Sequence, residues 1–464
     1  MSQKNWFMII IAAFLVPLFI FGIWSLLGDK PTISESENRA LEPMPEFSMN
    51  ALFRESFTRL FEKHYNDTFP MRDSMLSVNR EMNKFFYFTP WKSDENSDNV
   101  TLVIAGYGNQ VADRGEAMPP PEGMEEAITI QMPTRPVGDQ DDAPISTEPP
   151  PLPELEDAVA DLNTGIIYIV GTRAIEVVSW HPPAATRYGE ALDRIVSALP
   201  DARIINLVTP NAGAFYGSAE YRSGIHDQQL MIDDMYEQLD ESIVTVDAYS
   251  TMRYHVDEYM FFRTEHHWTQ LGAYYAYSAF CDALGYNVVS LSDFETGEVY
   301  DFVGSMYTYT SSYPQSDVLR QNPDTVQWWR PRREVRAVVY SDPRMRSETS
   351  FEITLVASST TISNKYLIFI QGDNPLIHIT SDVGNGRKIA VLKESYGNAF
   401  IPFLVNHYEE VFVIDPRGFN GADKPDFYLP AFIAEHEIDD VLVINNTFVL
   451  SSTGYTSLLE AMLR

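Results

Sequence analysis

Apolar and polar positions alternate along this chain in several distinct ways. Trp6 to Leu27, WFMIIIAAFLVPLFIFGIWSLL, is an uncharged apolar run. As a helix it is long enough to cross a bilayer, and Pro17 and Gly22 are tolerable there. Further on, Leu52, Phe53, Phe57, Leu60, Phe61 and Tyr65 recur at helical spacing, which predicts an amphipathic helix ended by Pro70. Short apolar runs then read as buried strands: GIIYIV (165–170), ARIINLVT (202–209) and SIVTVDA (242–248). RYGEALDRIVSALP and HDQQLMIDDMYEQLD between them read as helices. Near the end RKIAVLKES, EVFVIDPR and DDVLVINNT are strands, separated by the helical NAFIPFLVNHY and FYLPAFIAEHE. Alternation of this kind predicts an α/β fold, a parallel sheet with helices on both faces. Residues 290–387 interrupt it with runs such as VRAVVYS, FEITLVAS and YLIFIQG, read as an inserted mixed β region of antiparallel character.

Composition changes this picture at two places. Residues 116–157 are rich in proline and acid, with Arg135 their only base, too little apolar surface to offset the entropy of ordering. The expected organisation is an anchor over 1–30, a membrane-proximal helical segment and the start of the main domain over 31–115, an acidic disordered insertion over 116–157, and an α/β domain over 158–464. Lys4 ahead of the apolar run favours a cytoplasmic N-terminus, a single-pass cell-membrane protein and an extracytoplasmic main domain. The formal net charge of -32 argues against nucleic acid as a partner, and against charge-driven docking on anionic lipid. The single cysteine, Cys281, excludes an internal disulfide and any cysteine-based zinc cluster, and it lies on the core face of a predicted helix.

Two stretches carry candidate chemistry. In FFRTEHHWTQLGAYYAY, Glu265 and His267 are two apart, so on an extended segment they share a side and the carboxylate can orient the imidazole. Thr269 is the predicted N-cap of the helix that follows. In KIAVLKESYGNAF an apolar strand ends at Ser395 and a helix begins after Gly397, which exposes the serine at the carboxyl edge of a parallel sheet. Backbone N–H groups of the turn and helix start, at Tyr396, Gly397 and Asn398, are placed to stabilise an oxyanion. Lys393 stands where a G-x-S-x-G elbow would have its first glycine, and a serine before a helix is more often only an N-cap. Together the stretches suggest Ser395 as nucleophile, His267 as base and Glu265 as its orienting acid. Trp268 and Arg417 join them as substrate or oxyanion candidates. A metal site from His255, His266, His267 and Asp257 is the poorer reading, because neighbouring histidines on a strand face opposite ways and no familiar ligand spacing occurs. His266 is expected to pack or to hydrogen-bond locally.

The chain resembles the DHHW proteins, whose motif stands here as EHHW, Glu265 to Trp268. SENRALEPMP, FEKHYNDTFPMRD, VGSMY, GDNPLIHI, LKESYGNAFIPFL and VFVIDPR follow the family's pattern in the same order, over nearly the whole chain outside the acidic insertion. The resemblance implies an SGNH-hydrolase-like fold with permuted motif order, similar to accessory proteins of alginate-type O-acetylation. It further implies acyl transfer through a serine acyl-enzyme, with no cofactor. An integral membrane-bound O-acyltransferase would be the acyl donor and a polysaccharide the acceptor. Glu265 stands where the family carries aspartate. A carbohydrate esterase of the same fold and a non-catalytic polysaccharide-binding or assembly protein are the other readings. Aromatic runs such as MYTYTSSY and QWWRPRR suit sugar stacking, although core packing accounts for most such residues.

Overall fold

The computed structural model describes residues 167–464, except 347–349 and 422–423, together with short stretches and single positions between 33 and 163. The apolar run 6–27 and nearly all of the acidic segment 116–157 lie outside the described residues. No helix among the described residues is long and apolar enough to cross a membrane. The chain divides into two units, residues 1–96 with 113–117, and residues 97–112 with 118–464. In the first, β1 (Ile33–Ser34) pairs antiparallel with β2 (Arg39–Ala40). Phe61, His64 and Tyr65 are helical, and Thr68 Oγ1 donates to the His64 carbonyl at 2.8 Å.

The second unit begins its described part with a small antiparallel sheet, β3 (Leu162–Asn163), β4 (Ile167–Val170) and β5 (Arg173–Glu176). Within GIIYIV, Ile167–Val170 is therefore a strand, but it does not belong to the parallel sheet. Gly171, at φ +56°, lets the chain reverse at once from Val170 to Arg173. Parallel pairing would have needed a long crossover in place of that turn.

After α1 (Pro182–Ala198) come β6 (Arg203–Thr209), α2 (Gln228–Tyr236), β7 (Val244–Thr245), α3 (Ala248–Arg253) and α4 (Gln270–Leu284). The region 290–387 holds β8 (Phe294–Phe302), α5 (Ser305–Thr310), β9 (Asp324–Pro331), β10 (Val335–Tyr340), β11 (Phe351–Ile353) and β12 (Leu376–Ser381). The chain finishes through β13 (Lys388–Lys393), α6 (Gly397–Leu404), β14 (Glu410–Ile414), α7 (Leu429–Glu435), β15 (Asp440–Asn446) and α8 (Gly454–Ala461).

Eight strands form one mixed sheet in the order β11-β10-β12-β14-β13-β15-β6-β7. Its β14-β13-β15-β6-β7 part is parallel, and β12, β10 and β11 extend it antiparallel. The central strands read as nearly unbroken apolar runs because both of their faces are covered. Every residue of β15 is buried, and so is all of β6 after Arg203. Helices α1, α2 and α8 form one packed group; α3, α4 and α6 form another.

The 290–387 region thus supplies strands to the main sheet, plus a separate β8–β9 hairpin. YLIFIQG is not a strand. Asn364 accepts a hydrogen bond from Tyr366 N–H and starts a 3-10 turn, and Ile370 and Gln371 take positive φ values of 47° and 54°. Tyr366, Ile368, Phe369 and Ile370 are buried as a turn against the core, which periodicity alone does not distinguish from a strand.

Candidate functional site

Two loops 128 residues apart in sequence meet at the carboxyl end of β13. The first is the segment 263–267, closed by a bridge between Phe261 and Trp268. It is a series of bends and not an extended strand, so the side-to-side alternation expected of it does not hold: the rings of His266 and His267 have centroids only 4.0 Å apart. Asp324, fully buried on β9, sets the shape of this loop. It accepts from Arg263 N–H at 3.0 Å, from Thr264 N–H at 2.7 Å and from Thr264 Oγ1 at 2.6 Å, and also from Tyr259 Oη. Successive backbone donors are thereby satisfied inside the protein. Thr269 caps α4 by accepting from Gly272 N–H.

The second loop is Glu394–Tyr396, between β13 and α6. Gly397 N–H donates to the Glu394 carbonyl at 3.0 Å and Asn398 N–H to the Ser395 carbonyl at 3.1 Å, so the turn tightens directly into the helix. A Cβ at Gly397 would lie 2.7 Å from Lys393 Cβ, which is why the close return needs glycine. Cross-ties stitch the loops together. Trp268 Nε1 donates to the Tyr396 carbonyl at 2.9 Å, and Tyr396 Oη donates to the His266 carbonyl at 2.7 Å.

The result is a hydrogen-bonded line. His267 Nε2 is 2.7 Å from Ser395 Oγ, and His267 Nδ1 is 2.7 Å from Glu265 Oε1. Glu265 also accepts from Ser305 N–H at 2.6 Å and Ser305 Oγ at 2.9 Å, at the start of α5. A Cβ at Gly304 would overlap the Glu265 side chain, so the glycine of VGSMY is what admits this carboxylate. Tyr366 stacks on the His267 ring, centroids 4.0 Å apart and planes 8° apart, and donates to the Ser395 carbonyl at 3.1 Å. His266 Nδ1 lies 2.9 Å from Glu176 Oε2, a second imidazole–carboxylate pair beside the first.

Electrostatics separate the two histidines. Burial lowers the His267 pKa, the neighbouring His266 lowers it further, and the opposing pull of Glu265 leaves it at about 4. Burial also disfavours the His266 cation, but Glu176 foremost, with Glu265 and any negative charge on Glu394 adding to it, outweighs it and raises that pKa to about 9. For Glu265 burial acts upward, yet His267, His266 and the Ser305 N–H hold the carboxyl down at about 2. At neutral pH the pattern is an ionised Glu265, a neutral His267 and a cationic His266. A carboxylate cannot donate, so Nδ1 of His267 carries its proton and Nε2 presents a lone pair to Ser395.

The other sequence candidates serve different contacts. Trp268 and Tyr396 are fully buried, and their polar atoms make the cross-ties. Asn398 Nδ2 donates to Asp373 Oδ1 at 3.0 Å. Arg417 lies 2.6 Å from Asp415 and 2.9 Å from Asp373. Lys393, fully buried, reaches Asp373 at 3.0 Å and Asp415 at 3.3 Å. This cluster supports the serine turn from beneath. Burial would raise the Asp373 pKa, and Lys393 and Arg417 more than reverse it.

Glu265, His266 and His267 bring three possible metal-ligand atoms within 4.8 Å of one another, the one such group among the described residues. The bends of the loop, unlike a strand, permit this. Their donor atoms are engaged, however: both nitrogens of His267, Nδ1 of His266 and both oxygens of Glu265 have the partners named above. A metal would have to displace several of them. His255 and Asp257 are not part of the group, and His255 instead stacks on Tyr275 and contacts Glu258 at 2.8 Å.

Sequence reasoning missed Glu176, Ser305, Asp324, Tyr366 and Glu394 as parts of this site. Lysine and glutamate at the end of a strand as apolar as KIAVL were the legible signal for the groups behind the serine. The remaining residues come from other elements, where no local pattern marks them.

A family model described as DHHW protein matches residues 137–414. The crystal structure of a DHHW family protein from Eubacterium siraeum DSM 15702 is 27% identical, covers 65% of this chain and 98% of its own, and superposes with a TM-score of 0.57. Bacillus cereus PatB1, solved with a sulfonyl adduct, is 15% identical, covers 64% and 99%, and has a TM-score of 0.51, a likeness of fold. The O-acetyltransferase domain of Pseudomonas putida AlgJ is 14% identical over 60% and 89%, at a TM-score of 0.34, too distant to build on. No curated protein matches the chain.

Proposed function

The chain belongs to the DHHW protein family, and from that premise we propose that it is an extracytoplasmic O-acyltransferase that moves an acyl group, acetyl first among the candidates, onto a hydroxyl of a cell-surface or secreted polysaccharide. The observation that carries the reading is the line Glu265–His267–Ser395, with both links at 2.7 Å. It has the connectivity of a nucleophile, a base and an orienting acid. His267 Nε2 takes the Ser395 proton as Oγ bonds to the acyl carbon, and Glu265 stabilises the imidazolium. Collapse of the tetrahedral intermediate releases the donor's leaving oxygen, which takes the proton back. A sugar hydroxyl then repeats the sequence in reverse and carries the acyl group away. The family resemblance and the apolar run 6–27 support a single-pass anchor that holds the domain near a membrane-bound O-acyltransferase acting as acyl donor. The family resemblance also supports an SGNH-hydrolase-like description of the α/β fold.

The full-length protein in detergent tests this reading. It should cleave a chromogenic acetyl ester and take a sulfonyl fluoride on Ser395, located by peptide mass spectrometry. Ser395→Ala should do neither while keeping its circular dichroism. Supplying oligosaccharide acceptors then separates transfer from hydrolysis: acetylated sugar supports the transferase, whereas acetate alone with every acceptor makes the protein an esterase. Unchanged ester cleavage by Ser395→Ala removes the serine mechanism altogether.

A further inference from the structure

Ser395 Oγ has a second neighbour that the mechanism above does not use. Glu394 Oε2 lies 3.2 Å from Oγ and accepts from Tyr396 N–H at 2.9 Å, while Oε1 accepts from Asn446 N–H at 3.1 Å. Two backbone amides, one from the serine turn and one from the end of the adjacent strand β15, thus hold this carboxyl against the nucleophile.

Counting protons decides what the carboxyl does there. A hydroxyl has one proton to give, and the tautomer fixed by Glu265 directs it to His267 Nε2. Oγ then turns a lone pair toward Glu394. An ionised Glu394 would set two acceptors face to face, or draw the serine proton away from the base. With an ionised Glu394, Oγ is the donor to Oε2; a neutral Glu394 would instead donate its own proton to Oγ and leave the serine proton for His267.

We propose that Glu394 is a catalytic acid-form residue: a neutral carboxyl that donates a hydrogen bond first to Ser395 Oγ and then to the oxygen of the acyl group's tetrahedral intermediate. The inference rests on the acyl-transfer reading and deepens it. No proton leaves Glu394 in the step. The Oγ–carbon bond forms, the serine proton passes to His267, and the carbonyl π pair moves onto the oxygen that Glu394 then faces. Collapse restores the carbonyl and expels the leaving group with the proton from His267. A buried carboxyl that is kept neutral can make this kind of donation.

Removal from water is the largest influence on Glu394 and pushes its pKa above the ordinary carboxylate value, against the Tyr396 N–H, Arg417, His266 and the Asn446 N–H, which favour the ionised form. The other titratable groups that face it are the phenols of Tyr188, Tyr366, Tyr396 and Tyr455, none of which offers a positive charge.

The test is the pH profile of kcat/KM for a chromogenic acetyl ester from pH 4 to 10, using full-length wild type, Glu394→Gln, Glu394→Ala and Ser395→Ala, with the last as background. The wild-type rate should fall on the alkaline side as Glu394 ionises. Gln, which donates at every pH but must give up the bond from Tyr396 N–H to turn its NH2 toward Oγ, should lose that limb and keep a peak rate above that of Ala, which should lose about 10²–10³, the worth of one oxyanion donor. An alkaline limb absent from wild type or retained in Gln overturns the role, and so does an Ala variant as fast as wild type. Should Ala fail to fold, the comparison of Gln with wild type decides alone. Activity that survives Ser395→Ala would instead sink the serine mechanism. Activity that vanishes there but is indifferent to both Glu394 changes sinks only the present inference.

Discussion

Glu265→Gln is the substitution that asks most of the site. The carboxylate accepts three hydrogen bonds, from His267 Nδ1 at 2.7 Å, Ser305 N–H at 2.6 Å and Ser305 Oγ at 2.9 Å. A glutamine amide has one acceptor oxygen. The Ser305 backbone N–H cannot reverse its role, so the oxygen must face Ser305 and the NH2 group must face His267. Nδ1 then becomes the acceptor, the proton moves to Nε2, and the ring no longer offers Ser395 a lone pair. The wrong tautomer in a triad costs about 10⁴ in kcat, or about 5.4 kcal/mol of transition-state stabilisation. Loss of the charge-assisted bonds should cost about 1–3 kcal/mol of stability. The assay is kcat for a chromogenic acetyl ester at neutral pH, with thermal unfolding as the control for folding. A folded Glu265→Gln protein within tenfold of wild type would refute the tautomer argument, and with it the role given to Glu265. Glu265→Asp sharpens the same point: the shorter side chain cannot keep both Ser305 and His267 without movement of the loop, so a loss of about 10–100-fold is expected on the scale of a positioning error.

His266→Gln removes the cation beside His267, so the His267 pKa should rise from about 4. Because activity needs neutral His267 and is lost as pH falls through its pKa, the acid limb of kcat/KM should move to higher pH; an unmoved limb would show that His266 exerts no such field. His266 itself has a folded pKa raised to about 9, so its contribution to stability is complete below about pH 6.5 and is lost as pH rises through about 9. Denaturant titrations at pH 7 and pH 10 should show that loss in wild type and not in His266→Gln. Asp324→Ala strands the Arg263 and Thr264 donors and breaks the contact with Arg263 at 3.3 Å, so unfolding free energy should fall by about 3–5 kcal/mol; a loss under 1 kcal/mol in chemical denaturation would contradict that account of the loop.

Much of the site was legible in advance because its key groups announce themselves locally. Ser395 follows an apolar strand and precedes a helix, and Glu265 and His267 sit beside a cap residue at the head of another helix. Burial of a strand on both faces leaves a continuous apolar run, and helix starts select cap residues, so β6, β13, β14, β15, α4 and α6 could be read from pattern. The loop conformation that brings the two histidine rings together could not, since bends are imposed by Asp324 from a strand some sixty residues away. GIIYIV and YLIFIQG show the same limit in the fold. Apolar spacing records that residues will be buried, not which surface buries them, so one became a hairpin strand outside the parallel sheet and the other a turn. Glu176, Ser305, Tyr366 and Asp324 owe their place in the site to tertiary contacts alone. Hydrogen bonds act over about 3 Å whatever the separation in sequence, and only the packed chain decides which groups come within that reach.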